Sequence, residues 1–356
     1  MHTSHPVNTG KPSATLIIFL RALLKKSGYN EMNLLTYLLI YLTTTMKNYN
    51  DELTKEEIAA GDVVMTSEVV PWHFPMMNDT VRNDAYEKAL KSTLKNGGVV
   101  LDIGSGSGLL AMMAARHGAT KVTTCELVPM VAEKAKIIIQ RNGFADQINA
   151  INKLSTDLVV GVDLKERADV LVTEIFDNGL LGEHAFAAIE HARLHLLKPD
   201  AQLIPAGARV YAMLIESIEI YKNHRVDTIS NFDLSPFNQF TTFDYIGYHL
   251  AKTDYKALST TVKIFDFDFK KIPGNESTPI EFEITKSGTC HAVAFWYELQ
   301  VDEDTIISTA PHLPKLSCWK QAVQLFPTPF RLTKGKYIML TAHHDHEAIW
   351  FTGMKE

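Results

Sequence analysis

The run Val99-Val100-Leu101-Asp102-Ile103-Gly104-Ser105-Gly106-Ser107-Gly108 decides the fold. Its first half is apolar apart from Asp102 and rich in β-branched residues, the composition of a strand buried on both faces of a parallel sheet. Glycine then alternates with serine as G-x-G-x-G, shorter than the G-x-G-x-x-G dinucleotide fingerprint because position 109 is Leu. Glycines at Gly104, Gly106 and Gly108 permit a tight turn and a close backbone approach to a ligand, although such a turn alone would serve equally to pack a strand on a helix. Outward from it, Leu109–Arg116 reads as a helix closed by Gly118, Lys121–Glu126 as a second strand, and 129–142 as a second helix ending at Gly143. Further strands are expected at Ile148–Asn152 and 169–173, and a helical entry segment over 54–94. This alternation predicts a doubly wound α/β domain.

After Pro205 the pattern changes to short, alternating, aromatic-rich runs at 209–216, 259–267, 280–285, 291–301, 322–325 and 337–343, with no helical period competing. The expected architecture is α/β plus β: a Rossmann-like domain over 46–205, a hinge at Ile204-Pro205-Ala206-Gly207, and a β-barrel or sandwich over 206–356. Residues 1–45 are an extension of uncertain status. Their apolar runs at 16–20 and 34–42 fall short of the roughly 18 residues that cross a bilayer. No small-residue cleavage site follows them, and Met46 opens what reads as an ordinary soluble start.

The formal net charge of −6 argues against a dedicated nucleic-acid binder and for a basic partner. Cys125, Cys290 and Cys318 lie far apart without CxxC spacing, so neither a zinc site nor a disulfide framework is expected, and no other metal is called for. The expected setting is intracellular and reduced: the cytoplasm, with the nucleus also open to it.

Two sets of residues carry chemistry. Glu126 ends the second strand 18 residues beyond Gly108, where an acid accepts both hydroxyls of a ribose. No P-loop lysine follows the glycines, which favours a nucleoside without a triphosphate. The segment Glu174-Ile-Phe-Asp-Asn-Gly-Leu-Leu-Gly-Glu183 then sets two carboxylates nine residues apart. A guanidinium is a planar fork of donors that paired carboxylates match. Glu183 would also suit the start of a helix through 184–190, but Glu174 closes a strand at the end where α/β proteins bind ligands.

The glycine turn with Asp102 before it and Glu126 after it resembles the S-adenosylmethionine-binding core of class I methyltransferases. Glu174 and Glu183 resemble the double-glutamate loop of protein arginine methyltransferases. His73-Phe-Pro-Met76-Met77-Asn-Asp79-Thr-Val-Arg82-Asn-Asp-Ala-Tyr86 resembles that family's cofactor-covering helix, and Cys318-Trp319 stands where the family carries a T-H-W loop. The likeness covers roughly residues 60–355. Segments 151–156, 172–177 and 341–345 with 349–350 resemble its monomethylating, type III branch, here in single-module form.

That resemblance implies S-adenosylmethionine as cofactor and an arginine-containing protein or peptide as substrate. It implies a homodimer, with 221–248 as the dimerisation arm. Glu174 and Glu183 are then catalytic. Arg82, Asp102, Gly104, Gly106, Gly108, Glu126, Ser155 and Thr156 hold the cofactor, with Arg82 on its carboxylate and Ser155 and Thr156 near its adenine. Met76, Phe176, Asp177 and Trp319 meet the substrate: Trp319 as a wall of the arginine channel, Phe176 as bulk leaving space for one methyl, Asp177 as a partner for basic flanking residues. Cys318 departs from the family's histidine and leaves Asp79 without its usual partner. The competing readings are a methyltransferase of free arginine or another small guanidine, and a binding module that kept the pocket but lost turnover.

Overall fold

The computed structural model describes Val69 and residues 71–240, 244–313 and 318–355. The N-terminal extension and the first part of the expected entry segment lie outside the described residues. Two helices come first, α1 (His73–Met77) and α2 (Thr80–Thr93). Asp79 caps α2, its carboxylate accepting from the Arg82 amide at 3.1 Å, an arrangement worth about 1 kcal/mol. Arg82, Tyr86, Ala89 and Leu90 are the buried residues of α2 and recur at helical spacing.

The chain then alternates as β1 (Val99–Ile103), α3 (Leu109–Arg116), β2 (Lys121–Glu126), α4 (Pro129–Arg141), β3 (Ile148–Asn152), β4 (Ala168–Thr173), α5 (Ala185–His191) and β5 (Leu197–Ile204). The five strands form one sheet in the order β3-β2-β1-β4-β5, and every pairing is parallel. The winding reverses between β1 and β4. A crevice therefore opens beyond their carboxyl ends, where ligands bind in open α/β sheets. The glycine turn follows β1, Glu126 closes β2, Ser155 and Thr156 follow β3, and Glu174 follows β4, so one edge of the sheet collects them all.

The next strand, β6 (Gly207–Glu216), begins three residues after β5 ends and pairs antiparallel with Val262–Asp268 and Gly288–Gln300. Gly288–Gln300 pairs in turn with Gln321–Leu332. Glu276–Glu283, Tyr337–His344 and Ile349–Lys355 make a separate three-stranded sheet. The two sheets face each other, with Phe295 against Phe351 at 5.5 Å and Phe265 and Phe267 against His344.

Several features depart from the expected pattern. A short helix, Ile218–Asn223, interrupts the all-β half, capped by the Ser217 hydroxyl on the Ile220 amide. The strands Leu197–Ile204, at the edge of the parallel sheet, and Ile349–Lys355 are not among those expected from the sequence. One apolar core runs through both halves: Phe186 of α5 packs on Phe267 at 4.9 Å and Phe269 at 6.0 Å. Each such fully buried ring contributes about 2–3 kcal/mol, so the β half is packed directly against the elements that carry the site.

Candidate active site

The glycine turn is built as a cradle. Gly104, Gly106 and Gly108 all hold positive φ, and the Gly104 and Ser105 amides both donate to the Cys125 carbonyl. A Cβ on Gly104 would lie 2.7 Å from Ile175 and one on Gly108 3.0 Å from Ile139, whereas one on Gly106 would meet nothing within 4 Å. The outer two glycines serve packing, and Gly106 faces open space where a ligand can approach the backbone. The Glu126 carboxylate accepts from the Gly106 amide at 3.0 Å and the Val128 amide at 2.9 Å. It braces the turn and keeps lone pairs for a ribose. Ser155 is buried and Thr156 exposed in a 3-10 turn after β3.

Asp102 lies beneath the turn, fully buried, one oxygen accepting from Thr124 at 2.6 Å and the other without a protein partner among the described residues. Its direct part is thus to tie the turn to β2. Burial pushes its carboxyl up to about 7. A folded-state value above the unfolded 3.8 means that the native state binds the extra proton, so stability falls as pH rises from 3.8 to about 7. Asp102→Asn is expected to flatten that fall in urea titrations run across this range.

The segment from Glu174 to Glu183 is held from several sides. Arg82 donates to a single Glu174 oxygen through Nε at 3.0 Å and Nη2 at 2.6 Å, both side chains being only 4% exposed. Arg82, expected on a cofactor carboxylate, is thus paired with Glu174 and with Asn83, and its five-donor guanidinium keeps further N–H groups beyond these contacts. Burial raises the Glu174 carboxyl, a rise that Arg82 opposes. Trp319 donates its indole N–H to the Phe176 carbonyl at 3.0 Å, Tyr297 its hydroxyl to the Asp177 carbonyl at 3.0 Å, and the Lys320 amide donates to the Asn178 side chain at 2.8 Å. Leu180 and His184 take left-handed backbone at φ 79° and 59°, uncommon for residues with a Cβ, so the surroundings fix the turn.

Two expected substrate contacts, Phe176 and Trp319, are corrected. Phe176 is 2% exposed and stacks on Phe269, so its bulk fills the core and not an acceptor channel. Trp319 is 5% exposed and acts on the loop through its indole. Asp177 is half-buried; one oxygen accepts from the Gly182 amide within the loop and the other from the Tyr245 hydroxyl of the β half. Met76, on α1, is half-buried. Glu183 remains on the solvent side of the loop. Partial enclosure, then the nearby charges of Glu174, Asp177 and Glu126, push its carboxyl up to about 7.

A sheet-edge crevice with a glycine cradle and two carboxylates suits a nucleoside-bearing cofactor beside a cation. An arginine N(omega)-methyltransferase of Streptomyces achromogenes subsp. streptozoticus is 36% identical to this chain over 342 residues, covering 95% of this chain and 93% of its relative. This chain belongs to the arginine methyltransferase family. Its reaction class is methyl transfer from S-adenosylmethionine to arginine.

Protein arginine N-methyltransferase 7 of Drosophila melanogaster is 32% identical over 326 residues, and the enzyme of that name from Danio rerio 31% over 306 residues. This chain spans about half the length of these two relatives, 47% and 45%. Residues 206–352 match the arginine methyltransferase oligomerization subdomain, and residues 87–207 match the ribosomal protein L11 methyltransferase family. Among solved structures, a Trypanosoma brucei PRMT1 enzyme-prozyme heterotetrameric complex with AdoHcy shares the fold at TM-score 0.66 and 23% identity, over 76% of this chain and 86% of that one. Arabidopsis thaliana protein arginine methyltransferase 10 shares it at TM-score 0.64 and 20% identity, over 78% and 96%.

The methyltransferase's T-H-W position is resolved in an unexpected way. The Cys318 thiol donates to the Asp79 carboxylate at 3.2 Å, so the link between the covering helix and the β half survives the loss of histidine, contrary to the expectation from sequence. Burial, then Asp79, raises the thiol's ionisation above its ordinary range and keeps it a donor. Tyr297 and Tyr245, which shape the loop from the β half, went unmarked in the sequence; no local motif accompanies either. Among the described residues no group of three or more His, Cys, Asp or Glu is placed to hold a metal ion.

Proposed function

We propose that the chain is a protein arginine N-methyltransferase that places a single methyl on an ω-nitrogen of arginine in protein substrates. The observation that carries the reading is the pair of Glu174 and Glu183 on one braced loop at the mouth of the parallel sheet. Bound S-adenosylmethionine supplies the electrophilic methyl of its sulfonium. The residues present fit it: Gly106 gives open backbone, Glu126 offers carboxylate lone pairs for ribose, and Asp102 holds a partnerless buried oxygen beneath. Glu174 and Glu183 draw the guanidinium and aim one nitrogen, orientation to about 3–3.5 Å being the main contribution. As that nitrogen gains the methyl it loses an N–H proton, and a carboxylate ionising near 7 such as Glu183 can take it.

Monomethylation is supported by the relatives named protein arginine N-methyltransferase 7 and by the segments that resemble the type III branch; the volume of Phe176 no longer contributes. We assign residues 46–205 to the methyltransferase domain, 206–356 to a barrel-like β domain, and a reducing cytoplasmic setting, which three free thiols support. Nucleic acid and membrane are not partners in this reading. No helix among the described residues is long and apolar enough to cross a membrane. A homodimer is supported by the match to an oligomerization subdomain and by an arm that exposes Ile229, Phe232, Leu234, Phe237 and Phe240. Phe237→Asp with Phe240→Asp is expected to convert the dimer to a monomer in light scattering.

One observation favours free arginine as acceptor. The Streptomyces relative, named for arginine without "protein", matches along nearly its whole length. Mass spectrometry of an Arg/Gly-rich peptide and of free arginine, each incubated with enzyme and S-adenosylmethionine, separates the two. One methyl on peptide arginine is expected. Methylation of free arginine alone would move the assignment to the small-guanidine reading, and dimethylated peptide would remove the type III assignment.

A further inference from the structure

The turn of the double-glutamate loop takes its shape from the root of the arm. Tyr245 stands just before the strand Ile246–Tyr248, which joins the β half by pairing with Gln321, Ala322 and Val323. Its ring packs edge-on against Phe295 at 5.3 Å, and its hydroxyl donates to Asp177. The other Asp177 oxygen accepts from the Gly182 amide at 2.9 Å, one residue before Glu183. The two loop glycines give an independent sign of the same fit. A Cβ on Gly179 would run into the Tyr245 ring, and one on Gly182 would lie 2.7 Å from the Asp177 carboxyl and 2.9 Å from the Tyr245 oxygen. The loop omits side chains where it wraps the tyrosine.

We propose that Tyr245 is a positioning residue for the acceptor site, fixing Asp177, through it the Gly182 amide, and so the direction in which Glu183 meets the guanidinium. The inference rests on the reading of Glu183 as an acceptor-binding carboxylate. Burial and Asp177 keep the tyrosine protonated, so it remains a donor through the neutral range. The charged groups around Glu183 are Glu174 from the end of β4, Asp177 within the loop and Glu126 from the end of β2. Tyr245 modulates one of the three by hydrogen bonding to it.

Tyr245→Phe keeps the ring against Phe295 and removes only the hydroxyl. It is expected to raise the acceptor KM about tenfold, the scale of a lost hydrogen bond to a charged group. Cofactor affinity and Tm should stay near wild type, and the acid limb of kcat/KM should move upward, because the less shielded Asp177 charge bears more strongly on Glu183. Asp177→Asn should move that limb downward, and in its background Tyr245→Phe should cost less than about twofold more. Gly179→Ala, which must push the ring away, should reproduce the acceptor KM effect. Equal losses in both backgrounds, kcat/KM of Tyr245→Phe within about twofold of wild type, or a parallel fall in cofactor affinity and Tm would overturn the proposal. A wild-type enzyme that binds S-adenosylhomocysteine yet methylates neither peptide nor free arginine would instead remove the functional reading on which it stands.

Discussion

Glu174→Gln is expected to lower kcat/KM for the arginine acceptor by about 100-fold or more, with S-adenosylhomocysteine still bound in calorimetry. The change is isosteric and takes away the charge that must face a guanidinium, but it also leaves the buried Arg82 without its counterion, so urea midpoints are read alongside the rates. The Glu174 side chain is 4% exposed, directly follows β4, and is held by two Arg82 N–H groups. Glu183→Gln should also lower turnover, but it should in addition erase the acid limb near pH 7 that Glu183 supplies. In wild type, kcat/KM should rise with pH through about 7, because only the ionised carboxyl holds the cation. Initial rates with a fixed peptide acceptor between pH 6 and 9 measure both effects; a Glu174→Gln enzyme retaining a third of wild-type activity would contradict the assignment.

Arg82→Met is expected to cost about 3–5 kcal/mol of stability at neutral pH, the scale of a buried ion pair broken on one side. The guanidinium places two N–H groups on one Glu174 oxygen and a third on the Asn83 side chain at 2.7 Å. Methionine fills much of the volume and leaves Glu174 charged with no counterion. Burial already raises the Glu174 carboxyl, and without Arg82 it would rise further. An acid raised in the folded state favours folding at low pH, so the deficit should shrink as pH falls toward the ordinary carboxylate range. Arg82→Lys should recover only part of it, since an ammonium lacks the fork. Urea midpoints at two pH values test this, and an Arg82→Met protein as stable as wild type would show that the pair carries no weight.

Four of the five strands of the sheet were legible from local composition and the glycines between them, whereas the edge strand β5, Leu-Lys-Pro-Asp-Ala-Gln-Leu-Ile, carries too many polar residues to stand out. Gly104, Gly106, Gly108, Glu126 and Glu174 are gathered at one sheet edge because each stands at the carboxyl end of a strand or just beyond it. The sequence was less able to show what each side chain faces. Phe176 and Trp319 were expected at the substrate and are turned into the packing between the two halves, a consequence of contacts far away in the chain, Phe176 with Phe269 and the Trp319 indole with the Phe176 carbonyl. Tyr245 reaches Asp177 across 68 residues, a distance no periodicity encodes. The helix Ile218–Asn223 did leave a mark, Ser217 placed to cap it, but six residues are too few for a helical period to stand out.

The most direct test is to incubate the full chain with S-adenosylmethionine carrying an isotopically labelled methyl and an Arg/Gly-rich peptide, and to locate the label by fragmentation mass spectrometry. One labelled methyl on a guanidino nitrogen, absent with Glu174→Gln although that variant still binds S-adenosylhomocysteine, is the predicted result. Label on another residue type, or label that persists in Glu174→Gln, would contradict the account.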